Sequence, residues 1–203
     1  MFIKSHGLWD ITEVYANRGY TYYKKGNFEN ALKDYNRAIE LDPNNAGYYN
    51  SRGTTYRKSK RYDKEEKDYK KALELDPNYD VAMLNLSELN IMTKNYMDAH
   101  EMAEKALNIA KGDDEIMTSH FMMICSSLFQ NEKEDAKTQL DRLIEHFETI
   151  KDWKLEWDFS EIKPVIESSE FDEEAKSLML TLIELLKNKI TLDEFKSTSA
   201  ALL

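Results

Sequence analysis

The chain has 203 residues, of which 41% are hydrophobic and 33% are charged, a composition typical of a folded domain with a heavily solvated surface. Its formal net charge of −10 argues against a nucleic-acid partner, because phosphate binding favours a basic domain. The sequence has one cysteine, no apolar run long enough to cross a bilayer and no secretory signal pattern. We therefore expect no membrane partner and a cytoplasmic location.

The first part of the chain repeats itself at a spacing of 34 residues. Residues 12–45 align with residues 46–79, and Ala-Ile-Glu-Leu-Asp-Pro-Asn at 38–44 returns as Ala-Leu-Glu-Leu-Asp-Pro-Asn at 72–78. Other aligned pairs are Tyr15 and Tyr49, Arg18 and Arg52, Gly19 and Gly53, Tyr22 and Tyr56, and Tyr35 and Tyr69. A fixed period of this length indicates a unit that buries its apolar face only by stacking on further copies of itself.

Each copy has the pattern of a helical hairpin. Tyr15, Gly19 and Tyr22 recur at a spacing of three to four residues, which puts them on one face of a first helix. A glycine inside a helix costs about 1 kcal/mol relative to alanine, so we expect Gly19 where a neighbouring helix comes too close for a side chain. Gly26 suits the left-handed residue that ends the first helix, and Pro43 ends the second.

These residues resemble the tetratricopeptide repeat, a helical hairpin with a fixed order of large and small packing positions. The first copy supplies Tyr15, Gly19, Tyr22, Ala31, Tyr35, Ala38 and Pro43 at those positions. The second copy agrees except at Glu65, where the family has alanine, and a weaker third copy at 80–113 has Ser87 instead of the glycine. The resemblance implies a right-handed α-solenoid of such hairpins.

The period drifts beyond residue 113. Two apolar stripes at helical spacing within 114–150 predict a degenerate fourth hairpin with a longer first helix. Residues 151–203 carry further helical stripes, one of them opened by the capping-box pattern of Thr191 and Glu194. Because solenoids need atypical terminal units to cover the end of their core, we predict that this segment is a helical cap.

The predicted organisation is therefore all-α. It comprises a lead-in at 1–11, tetratricopeptide-like repeats at 12–45, 46–79 and 80–113, a degenerate hairpin at 114–150 and C-terminal capping helices at 151–203.

No motif for catalysis, a cofactor or a metal stands out in the sequence. The chain lacks a glycine-rich phosphate loop and paired cysteines, and His100-Glu101 has no second histidine at a zinc-binding spacing. Cys125 lies in an apolar stripe, where a buried, inert thiol is expected. The sequence predicts a protein that is not an enzyme and that uses no cofactor and no metal.

Charge is unevenly shared along the chain. Residues 1–79 hold 15 of its 28 lysines and arginines and 12 of its 38 acidic residues, so the remainder holds 13 basic against 26 acidic residues. Much of the basic excess lies between Arg57 and Lys71. A solvated helix face explains this run, and so does a surface that attracts an acidic peptide; the sequence leaves both interpretations open.

In the resembled family, the first helices of successive hairpins line a concave groove that binds extended peptides. Carried over position by position, the groove residues of this chain are Tyr20, Tyr23 and Lys24, then Asn50, Thr54, Arg57 and Lys58, then Leu84 and Glu88. Asn50 and Thr54 suit hydrogen bonds to a peptide backbone, while Arg57 and Lys58 suit an acidic residue or a C-terminal carboxylate.

One specialisation of the family is a clamp for the acidic C-terminal tail of heat-shock chaperones. At the five clamp positions this chain has Ala16, Tyr20, Ser51, Val81 and Asn85, none of which matches the clamp. From this comparison we do not expect a chaperone tail to be the partner.

The function predicted from the sequence is a non-catalytic protein–protein interaction module that binds a peptide or protein partner in the groove. One alternative is a structural spacer or self-association scaffold with no peptide in the groove. The other is an enzyme with a site in the C-terminal helices.

Overall fold

The computed structural model describes residues 11–150, 157–168, 173–187 and 189–199. Within these ranges the chain forms helices and no strands, which confirms the predicted all-α class. The helices are α1 Ile11–Lys24, α2 Phe28–Leu41, α3 Ala46–Lys58, α4 Tyr62–Leu75, α5 Asp80–Met92, α6 Tyr96–Ile109, α7 Asp113–Phe129, α8 Lys133–Thr149, α9 Ile162–Ser168, α10 Glu173–Leu186 and α11 Leu192–Ser199. The chain divides into two compact units, Met1–Ala82 and Met83–Leu203.

The N-terminal unit consists of two helical hairpins, α1 with α2 and α3 with α4, joined through contacts between α2 and α3. The two helices of each hairpin approach closely where a glycine of the first helix packs against a tyrosine of the second. A Cβ atom built on Gly19 would lie 3.2 Å from Cε1 of Tyr35, and one built on Gly53 would lie 2.7 Å from Cε1 of Tyr69. The prediction that these glycines mark a close approach of helices is confirmed.

An arginine–aspartate ion pair joins the two helices of each hairpin at equivalent positions. Arg18 donates Nε and Nη2 to the two carboxylate oxygens of Asp34, both at 2.7 Å, and Arg52 does the same to Asp68 at 2.7 and 2.6 Å. Arg52 also donates to Asn36 of α2 at 2.7 Å, which links the two hairpins. The sequence repeat aligned the two arginines, but their bidentate partners became evident only from the structure.

Replacing each of these glycines with alanine tests the packing. Gly53→Ala should lower the free energy of unfolding by about 1–3 kcal/mol, because Tyr69 is fully buried and its ring must shift. The gain in helix propensity, about 1 kcal/mol, offsets only part of this loss. Gly19→Ala, whose contact with Tyr35 is looser, should stay within about 1 kcal/mol of the wild type. Urea unfolding of both variants measures the difference, and a Gly53→Ala protein as stable as Gly19→Ala would contradict it.

Four hairpin turns share one backbone conformation. Each contains a residue in the left-handed region: Gly26 (φ 73°), Lys60 (φ 57°), Lys94 (φ 66°) and Asn131 (φ 61°). The next residue then donates its N–H to a carbonyl five positions earlier, as Asn27 does to Tyr22 at 2.9 Å and Arg61 to Tyr56 at 2.9 Å. This arrangement ends a helix by satisfying its last carbonyl groups. The sequence predicted the left-handed residue only at Gly26.

In the C-terminal unit, α5 packs on α6 at Ser87, which stands where the family has glycine. The Ser87 hydroxyl is buried and donates to the carbonyl of Ala99 at 2.7 Å. A serine is small enough for this close approach, and the hydrogen bond satisfies its buried hydroxyl group.

The helices beyond the repeats share a core with α7 and α8. Phe121 of α7 meets Phe159 edge-on, with ring centroids 4.9 Å apart. Ile162 and Ile166 of α9, six residues of α10 and Phe195 of α11 are buried in the same cluster as Leu140 and Leu143 of α8. This shared core supports the proposal that residues 151–203 seal the fourth hairpin.

Two local predictions for this unit fall on described residues. Thr191 donates its N–H to the Glu194 carboxylate at 2.7 Å, while the Glu194 N–H donates to the Thr191 hydroxyl at 3.2 Å, so the capping box is confirmed. α7 has 17 residues, against 14 in α1 and 13 in α3, in agreement with a longer first helix in the fourth hairpin. Within the predicted cap, residues 151–156, 169–172, 188 and 200–203 lie outside the described residues.

Candidate peptide-binding surface

The first group of predicted groove residues lies together at the end of α1. Tyr20 and Tyr23 have ring centroids 6.5 Å apart with planes 21° from parallel, and Lys24 holds its Nζ 5.3 Å from the Tyr20 centroid. Tyr23 also packs on Phe28 at the start of α2, with centroids 6.0 Å apart. Tyr20 is 53% exposed, so a rigid aromatic surface with an adjacent cation faces solvent here.

On α3, Thr54 and Asn50 are largely engaged within the fold. The Thr54 hydroxyl donates to the Asn50 backbone carbonyl at 3.0 Å and lies 3.3 Å from the Tyr69 hydroxyl. The Asn50 side chain is buried and hydrogen bonds with Tyr79, while burial raises the pKa of that tyrosine. The expectation that the Asn50 side chain is an exposed groove contact is wrong, whereas Thr54 stays partly exposed.

Arg57 does not present a charge to solvent. Arg57 is 5% exposed, and its Nε donates to the Glu65 carboxylate at 2.6 Å. Its guanidinium carbon also lies 5.6 Å from the centroid of the Tyr69 ring. The prediction that Arg57 is an accessible anchor for an acidic residue is wrong.

The physical reason is the departure of the second repeat from the family pattern at Glu65. That residue is 0% exposed, and a buried carboxylate is strongly destabilising unless a cation accompanies it. Arg57, eight residues earlier on the facing helix, supplies the cation. The signal was therefore in the sequence, because a glutamate at a packing position requires a partner of opposite charge.

The remaining predicted residues divide between the two units. Lys58, at the end of α3, is partly exposed. In the C-terminal unit Leu84 is 1% and Glu88 0% exposed, so neither is a surface contact, contrary to the prediction. The reason is that α5 is buried on all its faces from Ala82 to Ile91, including its polar residues Asn85 and Asn90.

A second polar cluster lies in the C-terminal unit, between α6, α7 and α8. Nδ1 of His100 lies 3.2 Å from the hydroxyls of both Ser126 and Ser127, and the Ser127 hydroxyl donates to Asp135 at 2.5 Å. In a nucleophilic triad the carboxylate orients the imidazole, whereas here it accepts from the serine and lies 3.8 Å from the imidazole. These side chains form a hydrogen-bond network that links the three helices.

Other features that could carry chemistry have simple structural roles. Cys125 is buried, as expected, and burial raises the pKa of its thiol. Across the described ranges, no group of three or more His, Cys, Asp or Glu side chains is arranged to hold a metal ion. None of the described helices combines the length and apolar character needed to span a membrane.

Comparison with known protein families identifies the repeats. A tetratricopeptide repeat model matches residues 12–45 and 46–79, and a second tetratricopeptide repeat model matches residues 68–101. Residues 12–101 therefore contain tetratricopeptide repeats. Among curated proteins, none matches the sequence significantly.

Solved tetratricopeptide repeat structures resemble the chain to different extents. A crystal structure of MamA protein superposes with a TM-score of 0.63 at 18% identity, over 94% of each chain, and this likeness concerns the fold alone. The TPR2AB domain of yeast Sti1 in complex with pHSP90 superposes with a TM-score of 0.53 at 25% identity, over 57% of this chain and 46% of that chain. Because that neighbour binds pHSP90, the prediction against a chaperone tail is not borne out.

Proposed function

We propose that this tetratricopeptide repeat protein is a non-catalytic interaction module whose first two hairpins bind a peptide of a protein partner across α1 and α3. The observation that carries the proposal is the exposed cluster of Tyr20, Tyr23 and Lys24. All three occupy groove positions of the family, and all three belong to a single helix of the N-terminal unit.

The chemistry of this cluster suits a peptide. Tyrosine offers a large, rigid contact area with little conformational entropy to lose, and it is enriched among residues that dominate binding energies. Two tyrosines stacked side by side make a platform on which an apolar or proline side chain can lie. Binding a partner there would cover the Tyr20 ring, which is otherwise half exposed to water.

The charge beside the platform favours an acidic ligand. With Arg57 engaged by Glu65, the cations on the groove positions of this unit are Lys24 and Lys58, at the C-terminal ends of α1 and α3. The partly exposed Thr54 hydroxyl adds a hydrogen-bonding group on α3. We propose a peptide that combines an apolar residue with an acidic residue or a C-terminal carboxylate. The pHSP90 complex of Sti1 makes a chaperone peptide one candidate to test.

The double variant Tyr20→Ala/Lys24→Ala tests this function. It should weaken binding of a captured partner about tenfold or more, since a contact with a charged group contributes roughly 1.5–3 kcal/mol and an aromatic anchor adds to it. The measurement is the dissociation constant of each partner captured from native lysate, together with that of the pHSP90 peptide.

A matched control removes the same side chains from another surface. Tyr62→Ala/Lys67→Ala truncates an exposed tyrosine and an exposed lysine on α4 and should leave binding within about twofold of the wild type. If every partner binds the Tyr20→Ala/Lys24→Ala protein at wild-type affinity, this face is not the site. A structural spacer or self-association scaffold then becomes the better interpretation.

A further inference from the structure

Two hairpin turns lie side by side at one end of the N-terminal unit. Residues of the first turn (Lys25, Gly26 and Asn27) and of the second turn (Ser59 and Arg61) line one open hollow of about 520 Å³. Arg61 forms an ion pair with Glu29 of α2, which fixes the second turn against the first hairpin. The two turns therefore form one continuous surface, called the basic turn surface below.

This surface concentrates positive charge in a chain whose net charge is negative. Residues 25–30 and 59–64, which exclude the groove lysines Lys24 and Lys58, contain four lysines and arginines against two acidic residues. The corresponding stretches of the third and fourth hairpins, 93–98 and 130–135, contain two lysines against four acidic residues. Because all four turns share the same backbone conformation, the helical scaffold alone does not require this difference in charge.

The cations at the centre of the surface are available to a ligand. Lys25 and Lys60 are exposed, and among the described residues no ion pair joins either of them to a carboxylate. Lys64 is exposed and lies with Nζ 5.6 Å from the Tyr56 ring, so it adds its charge at the edge of the same surface. Several like charges held close together repel one another, and an anionic partner relieves this repulsion.

We propose that the basic turn surface is a docking site for a segment of a protein partner that is rich in aspartate and glutamate. A protein segment fits better than an anionic membrane, because a charged bilayer would repel the acidic remainder of the chain, which has 26 acidic against 13 basic residues.

This site is separate from the peptide surface of α1 and does not depend on it. Lys25 and Lys60 lie in the turns, whereas Tyr20, Tyr23 and Thr54 lie within the helices. Charge complementarity of this kind raises the rate of association and selects among partners. A partner that carries both an acidic segment and a groove-binding peptide would gain affinity by engaging the two sites together.

Charge reversal at the turns tests the proposal. The probe is a fluorescently labelled decapeptide of alternating aspartate and glutamate, titrated into the full chain at low and at high salt. A second probe carries phosphoserine in a neutral decapeptide, and a third is a vesicle containing phosphatidylserine. We expect Lys25→Glu/Lys60→Glu to weaken binding of the aspartate–glutamate peptide about tenfold or more at low salt, with a smaller difference at high salt. Binding of the phosphoserine peptide alone would overturn the proposal in favour of a phosphorylated partner.

A second reversal of equal charge serves as the control. Lys67→Glu/Lys70→Glu changes two exposed lysines farther along α4 and should alter peptide binding less than threefold. Circular dichroism should show the same helicity for both variants, because glutamate and lysine have similar conformational preferences at position 60. The proposal is also overturned if the aspartate–glutamate peptide does not bind the wild type or if the two reversals weaken its binding equally. It is also overturned if the vesicle alone binds and the turn variant loses that binding.

Discussion

Replacing Arg57 with alanine should lower the free energy of unfolding by about 3–5 kcal/mol, the cost expected for removing one partner of a buried ion pair. The substitution takes the guanidinium away from the Glu65 carboxylate, which is fully buried and lies 2.6 Å from Nε. It also removes the cation that packs against the Tyr69 ring. Urea unfolding followed by circular dichroism measures the loss.

Two further variants separate this effect from a general loss of packing. The double variant Arg57→Met/Glu65→Ala removes both charges and places alanine, the residue of the family pattern, where this chain has Glu65. It should therefore recover most of the stability lost in Arg57→Ala. Arg18→Ala removes a bridge whose arginine side chain is 54% exposed, and should cost much less stability than Arg57→Ala. An Arg57→Ala protein no less stable than Arg18→Ala would show that the pair does not stabilise the N-terminal unit.

Acid should destabilise the C-terminal unit through His120. This residue is 5% exposed, and burial lowers the pKa of its imidazole to about 4. The Gln139 amide oxygen, 3.2 Å from Nδ1, opposes this shift, while the nearby Arg142 and His146 add to it. In the unfolded chain the pKa of histidine is about 6.5. The unfolded state therefore binds more protons between about pH 6.5 and 4, and stability falls as the pH is lowered through that window.

The expected loss is about 2–3 kcal/mol between neutral pH and about pH 4.5, on top of contributions from other groups. His120→Asn keeps a polar group that can reach Gln139 but does not titrate in this range, so its profile should be flatter by that amount. Unfolding free energies of both proteins across this pH range test the assignment. Parallel profiles for wild type and variant would exclude His120 as the source of the pH dependence.

The repeat pattern was enough to predict the hairpins and their closest contacts. Gly19 and Gly53 are spaced by one period and lie on the tyrosine face of their helices, so the sequence identified them as points of close approach. Gly26 and the Thr191 capping box were predictable for a similar reason. Local backbone geometry depends on a few neighbouring residues, and those residues can be recognised without tertiary information.

The candidate site was predictable only in part. Tyr20, Tyr23 and Lys24 were expected on one helix face, and the structure brings their side chains together. Whether they bind a peptide is a proposal, because a spacing identifies a face and not its ligand. Leu84 and Glu88 occupy equivalent positions of α5, yet both are buried, since exposure depends on what surrounds a helix rather than on its own periodicity.

The sequence by itself determined the all-α class, the hairpin repeat and the tight glycine contacts, because these follow from short-range spacing and side-chain size. Only the tertiary structure decided that Arg57 neutralises Glu65 instead of facing a ligand, since the choice between solvent and a buried carboxylate depends on burial. The structure likewise brought Lys25 and Lys60, 35 residues apart in the chain, to neighbouring turns. Long-range pairing and exposure arise from packing between hairpins, which the repeat pattern within each hairpin does not contain.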